Sequence, residues 1–541
     1  QAFRLPHARG QSQGAPAESA LGALPRPSIE VMRARNESPA PKARPKDKGS
    51  EGGSKSDASG TQPAQASSGA KKDVVRKPRP YEFGGNLGTA FWTFFIPICV
   101  YYAYGLNVIK KGVPSPPDLE FWKELIWGLP DGIAVRPTLE GFYLLTGWLF
   151  LQLLFQQFMP GKMDKGVTLK NGSRLPYKLN GWRSWCATWA VVGGAVYSGH
   201  LDPTVLYRNF GSLMTWANIY SYGVALYLYV HFGLLWRRWV GSPEFEEDWG
   251  VFKLSDFFHD YWMGCARNPR IFHFLGYPLD LKFFFEARPG LILWVLINWS
   301  NVFAMYKGCR VSGGGVMCEA EGDFSRVPLA ILIISIAHHY YIFDYFWNEP
   351  AILTTTDIRH EPFGFMLMWG DFGFLPWMYT NSFTLYLASV EPRYQGNLYL
   401  DVACVALWML AMLGFRLTNI QKHKFRTYAA AHGNDPSGYK VWGKPVTWIK
   451  TKEGSLMLTS GFWGMCRHPN YMPDLVMAFV WFLNCTAHKT FPLIPFGYVI
   501  YFWSMDIHRF FRDERRCKDK YGEDWDRYVQ AVPYCLIPGV W

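Results

Sequence analysis

The stretch Gly461-Phe462-Trp463-Gly464-Met465-Cys466-Arg467-His468-Pro469-Asn470-Tyr471-Met472-Pro473-Asp474 decides how the chain is read. It sets an Arg-His pair, an Asn-Tyr pair, two aromatic rings and a carboxylate between the apolar runs Leu400 to Leu417 and Leu475 to Leu483. Ionisable groups at membrane depth are costly, so where they occur they mark functional positions.

Outward from this stretch, apolar runs near the ~20 residues that cross a bilayer recur along the chain. They lie at Thr89 to Val108, Gly141 to Phe158, Trp182 to Tyr197, Leu213 to Trp236, Gly290 to Tyr306, Val327 to Trp347, Phe363 to Leu387 and Leu400 to Leu417. Leu475 to Leu483 and Phe491 to Met505 are shorter and read as a tilted or re-entrant hairpin. The pattern predicts an all-α, polytopic transmembrane helical protein of about ten spans. An aromatic share of 18%, with 25 Trp, suits Trp and Tyr belts at two membrane interfaces rather than a soluble domain.

Residues 1–80 are rich in Pro, Ala, Gly, Ser, Lys and Arg and cannot bury enough surface to fold, so they read as a disordered basic tail. The folded domain is expected over 83–541. The net charge is +12. With the basic tail cytosolic, the basic exits Lys162 to Lys165, Arg237-Arg238 and Lys422 to Arg426 fall on the same side, which places both termini in the cytosol. The same count puts Cys309 and Cys318 in the lumen, where a disulfide can form. The ten Cys form no CxxC pair, so neither a zinc site nor a redox motif is supported, and no metal is expected. The polar segment Pro243 to Ala287 reads as interfacial. No Gly-rich phosphate loop follows a strand pattern, which excludes a Rossmann domain.

The opening stretch resembles the signature of the sterol reductase family, which holds the Δ14, 7-dehydrocholesterol and C24(28) reductases and the lamin B receptor. So does the ending Arg512-Asp513-Glu514-Arg515-Arg516-Cys517-Lys518-Asp519-Lys520-Tyr521-Gly522, continued by Trp525, Tyr528 and Val532-Pro533-Tyr534. Asn268-Pro269-Arg270, Arg288-Pro289-Gly290 and Leu353-Thr354-Thr355-Thr356-Asp357-Ile358 extend the likeness. Asp344 to Glu349, Trp369-Gly370-Asp371 and Leu375 to Thr380 resemble the Δ7 enzymes more, whereas Ala351 to Thr355 and Phe363 to Leu367 resemble the Δ14 enzymes. The balance favours Δ7 reduction, with Δ14 reduction as the alternative.

Reducing an unpolarised ring double bond takes a proton from a strong acid in a dry pocket and a hydride. The resemblance implies NADPH, a cofactor-binding half at about 400–541, a sterol substrate and an endoplasmic reticulum membrane location. It places cofactor contacts at Lys422, Arg426, Leu458, Trp463, Asn470, Tyr471, Asp513, Cys517, Lys518, Asp519, Lys520, Tyr521 and Tyr528. Lys422 and Arg426 also stand four apart, on one helix face, which suits an anionic nucleotide, although such pairs more often anchor a membrane helix. Arg467 and His468 are expected to bind phosphate or tune the acid. Asp513, Glu349, Asp357 and Tyr379 are the catalytic candidates, with Asp371 beside them. Asp513 also reads as an ion-pair partner of Arg509 and Arg512. The lipid bilayer is the expected surroundings, no nucleic acid partner is expected, and homo-oligomerisation stays open. Two other classes compete: a SAM-dependent membrane methyltransferase, which shares an Arg-His-Pro-x-Tyr motif, and a lamin-B-receptor-like scaffold using the basic tail.

Overall fold

The computed structural model describes residues 81–168, 172–235, 254–272, 278–312, 315–390, 397–487 and 491–541. The basic tail expected over 1–80 lies outside them, as do 243–253 and 273–277 of the polar segment. The described residues divide into two units, residues 81–416 with 468–520, and residues 417–467 with 521–541.

The larger unit is built from helices α1 (Gly85–Val108), α2 (Leu139–Phe158), α3 (Gly181–Tyr197), α4 (Phe210–Leu228), α5 (Leu281–Ala287), α6 (Pro289–Tyr306), α7 (Leu329–Trp347) and α8 (Leu375–Ser382). The first part of α9 (Leu398–Ala431), then α10 (Tyr471–Asn484) and most of α11 (Leu493–Tyr521) complete it. Among the described residues, four helical stretches are long and apolar enough to cross a membrane: Gly85–Val108, Leu281–Tyr306, Leu329–Trp347 and Leu398–Ala431. The two short apolar runs form α10 and the start of α11.

Fold class needs one correction. The chain is mostly helical rather than all-α, and among the described residues it carries five two-stranded antiparallel ribbons. The longest pairs Lys162–Thr168 with Arg174–Leu179. Cys309 and Cys318 are disulfide-bonded beside the ribbon Arg310–Ser312/Gly315–Met317. In the described part of the polar segment Pro243 to Ala287, His259, Asp260, Asn268, Arg270, Asp280 and Lys282 are all buried. Pairing explains it, since Arg270 lies 3.6 Å from Asp280 and over the Tyr177 ring.

Two prolines shape this unit, and each has a substitute donor. Proline removes the N–H that would bond the carbonyl four residues back. Pro97 inside α1 frees the carbonyl of Thr93, and the Tyr222 hydroxyl donates to it at 2.6 Å. Pro376 in α8 frees the carbonyl of Phe372, and Trp377 Nε1 donates to it at 2.9 Å. The run read as one span, Phe363 to Leu387, is therefore broken into Phe365–Met368, a π-helical turn over Trp369–Phe374, α8 and Thr384–Ser389. That turn carries Asp371. Gly290, at the start of α6, packs so closely that a Cβ there would collide with the Asp371 carbonyl. The glycine of Arg288-Pro289-Gly290 is thus required by a backbone approach that positions Asp371.

The smaller unit has its own core of Phe425, Val441, Val446, Leu458 and Trp463. It carries the rest of α9, the ribbon Trp448–Lys450/Leu456–Leu458 and α12 (Glu523–Ala531).

Candidate functional site

In the larger unit a set of ionisable side chains lies deep among the helices, yet each keeps part of its surface accessible. They are Glu286, Tyr341, Tyr345, Asp371, Tyr379, Asp474, Tyr501 and Arg509. We infer from this partial accessibility that these enclosed groups face an internal space. Glu286 Oε2, Asp371 Oδ2, Tyr345 OH and Asp506 Oδ2 are buried atoms with no hydrogen-bond partner among the described residues. Unpaired buried polar atoms cost free energy, so a cluster of them marks a place prepared for a ligand.

The charges are contiguous. Glu286 interacts electrostatically with Asp357, Asp371, Lys282 and Arg509. Tyr345 interacts with Glu286 and Asp371, and Tyr379 with Tyr501, Asp506 and Asp474. Aromatic rings close the walls: Tyr379 meets Tyr498 edge-on at 4.8 Å and Trp294 at 5.2 Å.

The segment Thr356–His360 with Glu361 is tied down from two directions. Lys282 is fully buried, and its Nζ donates to the carbonyls of Asp357 (2.8 Å), Ile358 (2.9 Å) and Glu361 (2.8 Å). From α11, Arg509 donates to Asp357 at 3.1 Å, Arg512 to Glu361 at 3.2 Å and Arg516 to Glu361 at 2.6 Å. Burial alone would raise the Glu361 carboxyl, but Arg512 and Arg516 hold it below its ordinary value. Partial burial of the His360 ring, with Arg359, Arg516 and Arg267 around it, pushes His360 down from 6.5 to about 4. Both groups bind fewer protons folded than unfolded, so their contribution to stability is complete above pH 6.5. It is lost as pH falls, first through His360 between 6.5 and about 4, then through Glu361 below 4.5. The thermal midpoint should therefore drop from pH 7 to pH 4. In a Glu361→Gln, His360→Gln double variant the slope should be shallower, and an unchanged slope would show that neither group contributes.

The sequence candidates are distributed as follows. Tyr379 lines the internal space, and Asp357 borders it through Arg509. Glu349 is buried and engaged: its carboxylate accepts from Arg288 Nη2 at 3.0 Å and from the Gly181 N–H at 2.8 Å. Burial raises its carboxyl, opposed by Arg288. That is an anchor for α3. Removing one member of a buried pair costs about 3–5 kcal/mol. Glu349→Leu should lower the thermal midpoint of the detergent-solubilised protein sharply, and an unchanged midpoint would refute the anchor. Asp513 is half-exposed on α11, with Oδ2 3.7 Å from His468 Nε2 and 4.0 Å from the Cys517 thiol. His468 sits between the rings of Tyr471 (4.9 Å) and Phe510 (5.1 Å). Asn470 presents a buried Oδ1 with no partner among the described residues. Lys518, Asp519 and Lys520 are exposed at the end of α11, and Tyr521 follows them.

In the smaller unit, Lys422 Nζ stands 3.8 Å from the centroid of the Trp463 ring, and Trp463 Nε1 donates to the Thr418 carbonyl at 2.9 Å. Arg426 follows one turn later on α9. Leu458 and Tyr528 are buried, Tyr528 against Trp525 at 5.0 Å. Arg467, expected near phosphate, has its guanidinium on the carbonyls of Val532 (3.1 Å) and Pro533 (2.8 Å), where it fastens the C-terminal segment. Among the described residues, no three His, Cys, Asp or Glu side chains are grouped to hold a metal ion.

Sequence reasoning missed Glu286, Lys282, Tyr345 and Asp506, and it singled out Asp474 only as the carboxylate of the opening stretch. The signal for the carboxylates was present, since each is an acid in or beside an apolar run. Tyr345 gave no such signal among 30 Tyr.

Comparison with known proteins decides the family. The profile described as "Ergosterol biosynthesis ERG4/ERG24 family" matches residues 77–541. The chain belongs to the ERG4/ERG24 sterol reductase family. Membership makes it an oxidoreductase of sterol carbon–carbon double bonds. It is 36% identical over 489 residues to a Delta(14)-sterol reductase of Dictyostelium discoideum, covering 88% of this chain and 96% of that protein. A Delta(14)-sterol reductase of Methylotuvimicrobium alcaliphilum is 38% identical over 450 residues, covering 83% and 92%. A 7-dehydrocholesterol reductase of Xenopus laevis is 31% identical over 504 residues, covering 88% and 97%. This sterol reductase family member thus stands among relatives of both regiochemistries.

Proposed function

We propose that this protein is an NADPH-dependent Δ14-sterol reductase of a membrane. The observation that carries the reaction is the enclosed set of carboxyls and tyrosines with unpartnered oxygens. The relatives at 36% and 38% identity, both Delta(14)-sterol reductases, favour Δ14 over the Δ7 reading drawn from local motifs. Δ7 reduction remains the second reading because the Xenopus relative matches over nearly its whole length.

Glu286 and Asp371 stand together in the enclosed set, beside Lys282. In this reading Tyr345 passes a proton from the Glu286–Asp371 pair to the less substituted alkene carbon, leaving a cation on the more substituted one. The π-face of Tyr379 stabilises that cation, and the apolar walls exclude water. NADPH supplies the hydride when bound. Lys422 and Arg426 fit its phosphates, since both are cationic and an aromatic face already holds the Lys422 ammonium. Lys422→Ala should raise the Kd for NADPH about tenfold, measured by calorimetry, and an unchanged Kd would remove Lys422 from the cofactor set. The remaining roles given to Tyr471, Asp513 and the Cys517-to-Tyr521 run belong to the same proposal, as do the ten-span topology, the cytosolic termini and the endoplasmic reticulum membrane.

The test is turnover in membranes with NADPH and two sterols, a Δ8,14-diene and a Δ5,7-diene. Loss of the Δ14 bond alone supports the reading. Loss of the Δ7 bond alone moves the protein to the second one.

A further inference from the structure

A second apolar space of about 450 Å³ opens on the outer face of α1 and α4. Its walls are Phe94, Ile98 and Ile219, which are 55%, 51% and 44% exposed, and its floor is Tyr101, Thr215 and Asn218. Pro97 and Tyr222 line it too, and the Tyr222 hydroxyl closes the break that Pro97 makes in α1 by donating to the Thr93 carbonyl. The groove is therefore fixed by built-in hydrogen bonds.

The floor is polar at one end. Tyr101 OH donates to Thr215 Oγ1 at 3.1 Å, and Thr215 Oγ1 donates to the Val135 carbonyl at 2.7 Å. Tyr101 thus keeps acceptor capacity for a hydroxyl from outside. About 10 Å of helix separates Tyr101 from the end of α1 at Val108, and about 8 Å separates Thr215 from the start of α4 at Phe210. The polar end lies near the helix ends, and the apolar walls run deeper. α1 is long and apolar enough to cross a membrane, so the groove opens toward lipid.

We propose that this groove is a second sterol-binding site, separate from the internal space, taking a sterol with its hydroxyl on Tyr101 and Thr215. A rigid apolar body with one hydroxyl at its end matches this shape, whereas a phospholipid acyl chain offers no donor to the floor. The groove also reaches the reaction centre mechanically. Asn218 Oδ1 accepts from Trp369 Nε1 at 2.7 Å, and Trp369 begins the π-helical turn that carries Asp371. The choice of a sterol rests on the reductase reading, but binding needs no turnover.

The experiment uses the full chain in phospholipid nanodiscs with a diazirine-bearing 3-hydroxysterol, without NADPH, and maps labelled peptides by mass spectrometry. Labelling is expected within residues 94–101 and 215–222, displaced by excess unlabelled sterol and not by its 3-deoxy analogue. Tyr101→Phe should lower it about fivefold, the effect of one hydrogen bond, and Ile219→Trp should fill the groove and abolish it. Equal displacement by the deoxy analogue, or labelling indifferent to both variants, would overturn the proposal. NADPH-driven turnover measured separately tells failure of the reductase reading apart from failure of this one.

Discussion

Replacing Tyr345 by Phe is expected to lower kcat for sterol reduction by about 10²–10³-fold and to leave the thermal midpoint unchanged. The two halves of that result come from one observation. The Tyr345 hydroxyl is buried with no hydrogen-bond partner among the described residues, while Glu286 and Asp371 act on it electrostatically. Removing an unpartnered hydroxyl breaks no bond of the folded state, so stability is spared. The ring still packs against Phe346 at 5.6 Å. A hydroxyl retained at such a cost is explained by the reaction. Steady-state rates with a Δ8,14-sterol, alongside thermal unfolding in detergent, measure both halves. Full activity in Tyr345→Phe would remove the hydroxyl from the proton path.

Lys282→Met is expected to cost about 3–5 kcal/mol and to prevent isolation of a stable protein in most detergents. A fully buried ammonium is tolerated only when its donors are used, and here three backbone carbonyls use them. Met fills the stem's volume but leaves the carbonyls of Asp357, Ile358 and Glu361 unpaired. The control is Lys452→Met, whose exposed ion pair with Glu523 should leave the midpoint unchanged. Similar midpoints for the two variants would contradict the role assigned to Lys282.

Much of the helical framework was legible in the sequence, because an apolar run of spanning length has few alternatives. Thr89 to Val108, Gly141 to Phe158, Trp182 to Tyr197 and Val327 to Trp347 each became one helix. The run from Phe363 to Leu387 misled: its hydropathy is continuous, but Pro376 breaks the helical ladder and makes the π-helical turn. Lys422 and Trp463 were legible as candidates by chemistry and resemblance, and the fold sets the Lys422 ammonium 3.8 Å from the Trp463 ring centroid. Arg467 could not be judged, since its carbonyl partners lie 65 residues away in sequence. The internal carboxyls come from α5, the π-helical turn, α10 and α11, and only tertiary packing brings them to one space.

The most direct test of the central claim, that an enclosed protein acid and a nucleotide hydride together saturate the sterol bond, is an isotope experiment. Turnover of a Δ8,14-sterol is run once with 4-deuterated NADPH in ordinary water and once with NADPH in D₂O, and the product is analysed by mass spectrometry. The account predicts one deuterium from the nucleotide in the first and one from solvent in the second, at the two former alkene carbons. Two deuteriums from solvent, or none from the nucleotide, would contradict it.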